Sequence, residues 1–90
     1  MREVRLKVIN PLGLHARAAA QLVRLAGRYS SRITLTRFDS NITANAKSIL
    51  SLLALAAAKG TELRVVAEGG DADDAIVAVE ELFSHGFGEI

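Results

Sequence analysis

The 90-residue chain has no cysteine, no tryptophan, one tyrosine, three phenylalanines and a single proline, Pro11. Without cysteine there are no disulfides, thiolate metal sites or thiol nucleophiles, which suits a reducing compartment. Aromatic residues are 4% of the chain, too few for the stacking platforms that bind single-stranded nucleic acid. No sign of charge dominates: 11 basic residues face 10 acidic ones for a net +1, so neither a nucleic-acid footprint nor an acidic tail is indicated. The most apolar segment, Ile49 to Ala58, is far short of the roughly 20 residues a membrane span needs. The N-terminus alternates charged and apolar residues, unlike a signal peptide. These absences point to a cytoplasmic protein without membrane insertion, and the length to one domain over residues 1–90.

Two periodicities divide what is present. Val4, Leu6 and Val8 alternate with Glu3, Arg5 and Lys7, the period-two pattern of a strand with one wet face. After Pro11 and Gly13 the period lengthens, and Ala19, Leu22, Val23 and Ala26 fall on one helical stripe that Gly27 closes. Arg32 to Thr36 alternates again, Asp39-Ser40-Asn41 is a turn, and Ile42 to Ala44 is a short return strand. Ser48, or Asn45 slightly earlier, caps a second helix that Gly60 ends. Leu63, Val65 and Ala67 mark a further strand, ended by Gly69-Gly70, which have no phosphate-loop context. Asp71, Asp73 and Asp74 read as charge at the N-terminus of a third helix that buries Ala75, Ile76, Val79, Leu82 and Phe83. The ending SHGFGEI reads as a mobile tail. The order β-α-β-β-α-β-α predicts a two-layer α+β domain, an antiparallel sheet with its helices on one face.

The stretch NPLGLHARAAA places His15 at the mouth of the first helix. Such a terminus offers unpaired N–H groups and partial positive charge, a ready anion site. There the dipole disfavours imidazolium and keeps a ring nitrogen available as a nucleophile. A phosphoryl group on it would lie among the N–H donors of Ala16 and Arg17, and the Arg17 guanidinium would add charge-assisted hydrogen bonds. Small residues at Ala16, Ala18, Ala19 and Ala20 would leave the imidazole unobstructed. The alternative is an indifferent N-cap beside a solvated arginine, and spacing alone leaves both open.

GLHARAAAQLV closely resembles the active-site segment of HPr, the histidine-containing phosphocarrier of the bacterial phosphoenolpyruvate-dependent phosphotransferase system. NAKSILSLLALAAAKG resembles the second signature of that family, around its regulatory serine. The resemblance spans essentially the whole chain. It implies an open-faced β-sandwich with a four-stranded antiparallel sheet and three helices on one face. It also implies a carrier that is no enzyme in its own right and needs no cofactor beyond the phosphoryl group. His15 would accept that group, usually on Nδ1, from phosphorylated Enzyme I and pass it to an A-type acceptor domain, with Arg17 neutralising charge. Ser48 matches the serine that HPr kinase/phosphorylase modifies in regulated members. Ala16, Ala20, Arg24, Ile49, Leu50 and Leu53 fall on the docking face of the family. A monomer is the simplest state for a carrier that must enter several active sites.

Ala18 departs from the pattern, which has proline there. Alanine restores an N–H donor and is expected to change rigidity or partner preference. AKSI resembles HPr, whereas LFSHGF and the longer hairpin RFDSNITAN resemble the nitrogen-branch paralogue NPr. A regulatory interaction module of the same fold, acting through Ser48 and the Ile49–Leu53 face, is the alternative from another class. An acylphosphatase-like hydrolase lacks its loop and water-positioning residue here. His85 has no second ligand at metal spacing, so no metal site is expected.

Overall fold

A computed structural model describes residues 1–90. Four strands, β1 (Arg2–Lys7), β2 (Arg32–Arg37), β3 (Thr43–Asn45) and β4 (Glu62–Glu68), form one sheet in the order β1-β4-β2-β3, every pairing antiparallel. Helices α1 (Ala16–Ala26), α2 (Ile49–Leu55) and α3 (Ala72–Ser84) give the expected β-α-β-β-α-β-α order, and a 3-10 turn at Gly86–Gly88 follows.

Alternation decides which face the helices cover. Ile33 and Leu35 of β2, Ala44 of β3 and Leu63, Val65 and Ala67 of β4 are buried on one side. From the helices come Ala18, Ala19, Leu22 and Ala26, then Leu52 and Leu55, then Ala75, Ile76, Val79 and Phe83. Together they make one contiguous core, and a register slip of one residue in any strand would turn its apolar set to solvent. The opposite sheet face is open. There Phe38 lies 4.0 Å from the Arg5 guanidinium and 5.2 Å from that of Arg64.

Three expectations change. The return strand begins at Thr43 and leaves Ile42 exposed, because Ile42 closes the turn instead, its C=O accepting from Arg37 N at 2.9 Å. The second helix stops at Leu55, well before Gly60: Ala56 turns left-handed at φ 52, and Arg37 Nη1 donates to the carbonyls of Leu55 and Ala56 at 3.0 Å each. The arginine satisfies carbonyls that a helix end leaves orphaned, and the freed chain then turns toward the loop before α1.

The tail is the largest correction. Phe87 is 3% exposed and meets Phe83 edge to face at 5.0 Å, while Gln21 Nε2 on α1 donates to its carbonyl at 3.2 Å. Polar composition suggested mobility; one aromatic between two glycines anchors the segment instead, with Gly86 and Gly88 taking positive φ.

Candidate functional site

The loop from Val8 to Leu14 aims the site. Asn10, fully buried, donates from Nδ2 to the Gly13 carbonyl at 2.7 Å and closes a turn. Gly13 sits at φ 67 so close to the segment after α2 that a Cβ there would lie 2.7 Å from the Ala57 oxygen. Leu14 N donates to that same oxygen at 2.8 Å. The clamp delivers His15 to the N-cap of α1, in extended conformation and with no capping hydrogen bond from its side chain.

His15 is half-buried, and its Nε2 lies 2.5 Å from Glu89 Oε2. The contact with His15 is the main reason the Glu89 carboxyl stays below its usual range, opposed by desolvation and helped by Asn10 and the Leu12 N–H. An ionised carboxylate can only accept, so Nε2 carries the proton. In the neutral ring the lone pair is then on Nδ1, which is free for chemistry. Glu89 lies 74 residues from His15 in the chain and reaches it because Phe87 pins the tail. The sequence signal was present in GFG, the only aromatic in a stretch otherwise polar and glycine-rich.

Arg17 is exposed in the first turn and forms no ion pair, so its guanidinium is available to an anion. Ala16 is exposed and Ala20 half-buried, but Ala18 and Ala19 are wholly inside the core. Ala18 therefore acts through its backbone N–H and its packing, with no side chain toward a partner.

Ser48 caps α2: its Oγ accepts from Ser51 N at 3.2 Å. Ile49, Leu50 and Leu53 all remain exposed, Leu50 by 80%, while Leu52 and Leu55 go to the core. Leu53 and His15 line one shallow cleft with Leu12, Leu14 and Ala56–Ala58. Leu12 is 69% exposed and extends that apolar rim, although nothing in the turn chemistry of NPLG singled it out. Arg24 is exposed farther along α1.

The remaining acids take different parts. Asp71 does not cap its own helix; its carboxylate accepts from Ser30 N at 2.8 Å, Ser31 N at 2.9 Å and the Ser31 hydroxyl. Those bonds, the hydroxyl first, hold its pKa at about 2. The expected helix-terminal charge remains with Asp73 and Asp74 in the first turn, Asp73 also pairing with Arg2 at 3.3 Å. His85 is an exposed C-cap residue.

A histidine with one ring nitrogen pinned and the other free, beside uncapped N–H groups and a free arginine, is the equipment of a protein that holds a phosphoryl group. The family described as "PTS HPr component phosphorylation site" matches residues 2–85. A phosphocarrier protein HPr of Treponema pallidum is 46% identical over 83 residues, 92% of each chain. A crystal structure of HPr-C-His from Thermoanaerobacter tengcongensis superposes with a TM-score of 0.94 at 39% identity, covering 100% of this chain and 99% of that one. The chain belongs to the HPr family of phosphocarriers of the phosphotransferase system.

Another structure from the same organism, described as an HPr dimer, has a TM-score of 0.77 at 39% identity and covers 99% of this chain and 100% of that one. It weighs against the expected monomer. No helix is long and apolar enough to cross a membrane.

Proposed function

We propose that this chain carries a phosphoryl group on Nδ1 of His15, taking it from phosphorylated Enzyme I and giving it to a histidine of an A-type acceptor domain. The observation that carries this is the Glu89 contact, which in the neutral ring leaves the lone pair on Nδ1, a nitrogen with no hydrogen-bond partner. In the first transfer that lone pair attacks phosphorus, and the donor's N–P bond breaks with its electron pair returning to the donor imidazole; in the second the acceptor histidine's lone pair attacks, and the Nδ1–P bond breaks with its electron pair returning to His15. The N–H groups at the start of α1 and the Arg17 guanidinium hold the phosphoryl oxygens, while the partner supplies the rest of the site. Leu12, Ile49, Leu50 and Leu53, with Ala16, Ala20 and Arg24, form the surface the partners close on. This function belongs to the cytoplasm, where phosphoenolpyruvate is made.

Either the sugar branch or the nitrogen branch is compatible with these residues. Phosphorylation of Ser48 by an ATP-dependent kinase would add about 1.5–2 negative charges amid the exposed apolar residues of α2 and weaken docking there.

Incubation with phosphoenolpyruvate and cognate Enzyme I, followed by intact mass, tests the assignment. One phosphoryl group, stable in base and lost in acid, is expected, and none on His15→Ala. Absence of the adduct with a competent Enzyme I would shift the function to a regulatory module acting through Ser48 and the α2 face.

A further inference from the structure

We infer, on the footing of the carrier function above, that Glu89 is a positioning residue for the phosphorylated state: it keeps Nε2 of the phosphorylated His15 ring protonated, so that the phosphoryl group departs from an imidazolium. Glu89 Oε2 holds Nε2 at 2.5 Å, on the edge of the ring away from Nδ1. A phosphoryl group on Nδ1 therefore leaves the Glu89 contact in place. When Nδ1 of the neutral ring gives its lone pair to phosphorus, Nε2 keeps its hydrogen and the ring becomes a cation. If that proton were lost, the N–P bond would have to break toward an imidazolate, a strong base and a poor leaving group. With the proton retained, the electron pair of the breaking bond returns to Nδ1 of a neutral imidazole. No proton enters or leaves His15 in either transfer, and the ring ends as it began. A loose phosphoryl-transfer transition state makes the leaving group decisive, and an anion against Nε2–H favours the charged ring.

The fold holds that anion against the ring. The Glu89 side chain is 14% exposed and that of His15 27%, so water screens the pair only in part. Leu12 N donates to the other carboxylate oxygen, Oε1, at 3.4 Å, and the Gln21 bond and the buried Phe87 ring fix the tail just before it. The Glu89 carboxyl sits below its usual range, and His15 is the only titratable group among the causes, so the carboxylate is ionised wherever the ring is asked to carry charge. Around the ring, the loop before α1, α2 and the segment after it line the cleft with Leu12, Leu14, Leu53 and Ala56–Ala58, none of them charged. In the first turn of α1 the only charged side chain is Arg17, whose cation serves the phosphoryl oxygens.

Hydrolysis without any acceptor breaks the same N–P bond, so its pH profile is the test. Chains loaded by Enzyme I from excess phosphoenolpyruvate are diluted into buffers of rising pH, and the surviving adduct is followed by intact mass. Hydrolysis should slow as the Nε2 proton is lost. In Glu89→Gln that fall should come about one pH unit lower, a roughly tenfold slower rate on the falling limb. Glutamine keeps the size of the side chain and an accepting oxygen, so the charge alone is removed. Phe87→Ala, which frees the tail, should move the profile the same way. Glu3→Gln, which takes a negative charge from the open sheet face beside Arg64, should leave it in place. Coincident profiles for the starting chain and Glu89→Gln would overturn the inference while the carrier function stands, as would an equal displacement by Glu3→Gln. Failure of Glu89→Gln alone to load would also overturn it, by placing Glu89 in acceptance of the group instead of its departure. No adduct on the starting chain would overturn both, and the mass before dilution tells these failures apart.

Discussion

Two helices begin on polar residues, yet their N-termini are built in opposite ways. At α2, Ser48 folds its hydroxyl back to Ser51 N, and the Ser51 hydroxyl in turn accepts from Asn45 N at 2.8 Å. That end satisfies itself. At α1, His15 stands at the cap and gives its own helix no side-chain hydrogen bond, while its Nε2 is committed to Glu89. The first turn of α1 keeps its N–H groups open to an outside anion, and contains no acidic side chain that would compete for them. Leaving the α1 end uncapped costs stability and keeps its N–H groups free for an anion.

Closing the open end should have the largest effect. His15→Ser supplies a capping hydroxyl to α1, so phosphoryl transfer should vanish while unfolding free energy stays within about 1 kcal/mol of the starting chain. Transfer assays beside urea denaturation check this; a larger loss of stability would mean that His15 is kept for packing.

The clamp that holds α1 in place is the next target. Gly13→Ala forces a side chain into left-handed backbone and against Ala57 O and Ala58 Cα, 2.7 and 2.9 Å from the new Cβ. Strain and overpacking together should cost about 3 kcal/mol. Gly60→Ala, also at positive φ but with nothing within 4 Å, should lose clearly less in the same denaturation series. Equal losses would remove the close approach as the cause.

Opening the closed end should be milder. Ser48→Ala leaves Ser51 N without its acceptor and should lower stability by about 1 kcal/mol, with transfer from Enzyme I near normal in the unmodified protein. A tenfold fall in transfer would place Ser48 in the docking step itself.

The smallest effect sharpens the role of the tail. The Glu89 pKa is lowered in the folded chain, so its contact stabilises tail docking above the unfolded value near 4.5 and is lost as pH falls through the lowered folded value. NMR shifts of Gly88 and of the Phe87 ring should follow that acid transition below the range of ordinary carboxylates, ahead of global unfolding. Glu89→Gln should erase it; an unchanged transition would assign it to another group.

Much of this molecule follows from local chemistry. Alternation in MREVRLK, RITLTR and ELRVVAE writes three of four strands and tells which side is wet, since side chains at period two cannot do otherwise. The alanine-rich stripe of α1 and the cap at Ser48 are equally local, and the resemblance around His15 and Ser48 is carried by contiguous residues. The apolar surplus of α2 foretold a face left outside the core, and Ile49, Leu50 and Leu53 are that face. What escaped is set by contacts between segments far apart in the chain. The early end of α2 depends on Arg37 donating to its last carbonyls, and the role of Asp71 on two serines 40 and 41 residues away. Above all, the partner of His15 comes from the far end of the sequence, brought there by one buried phenylalanine. Periodicity and propensity act over a few residues, whereas the protonated ring nitrogen is chosen by packing that exists only once the chain has folded.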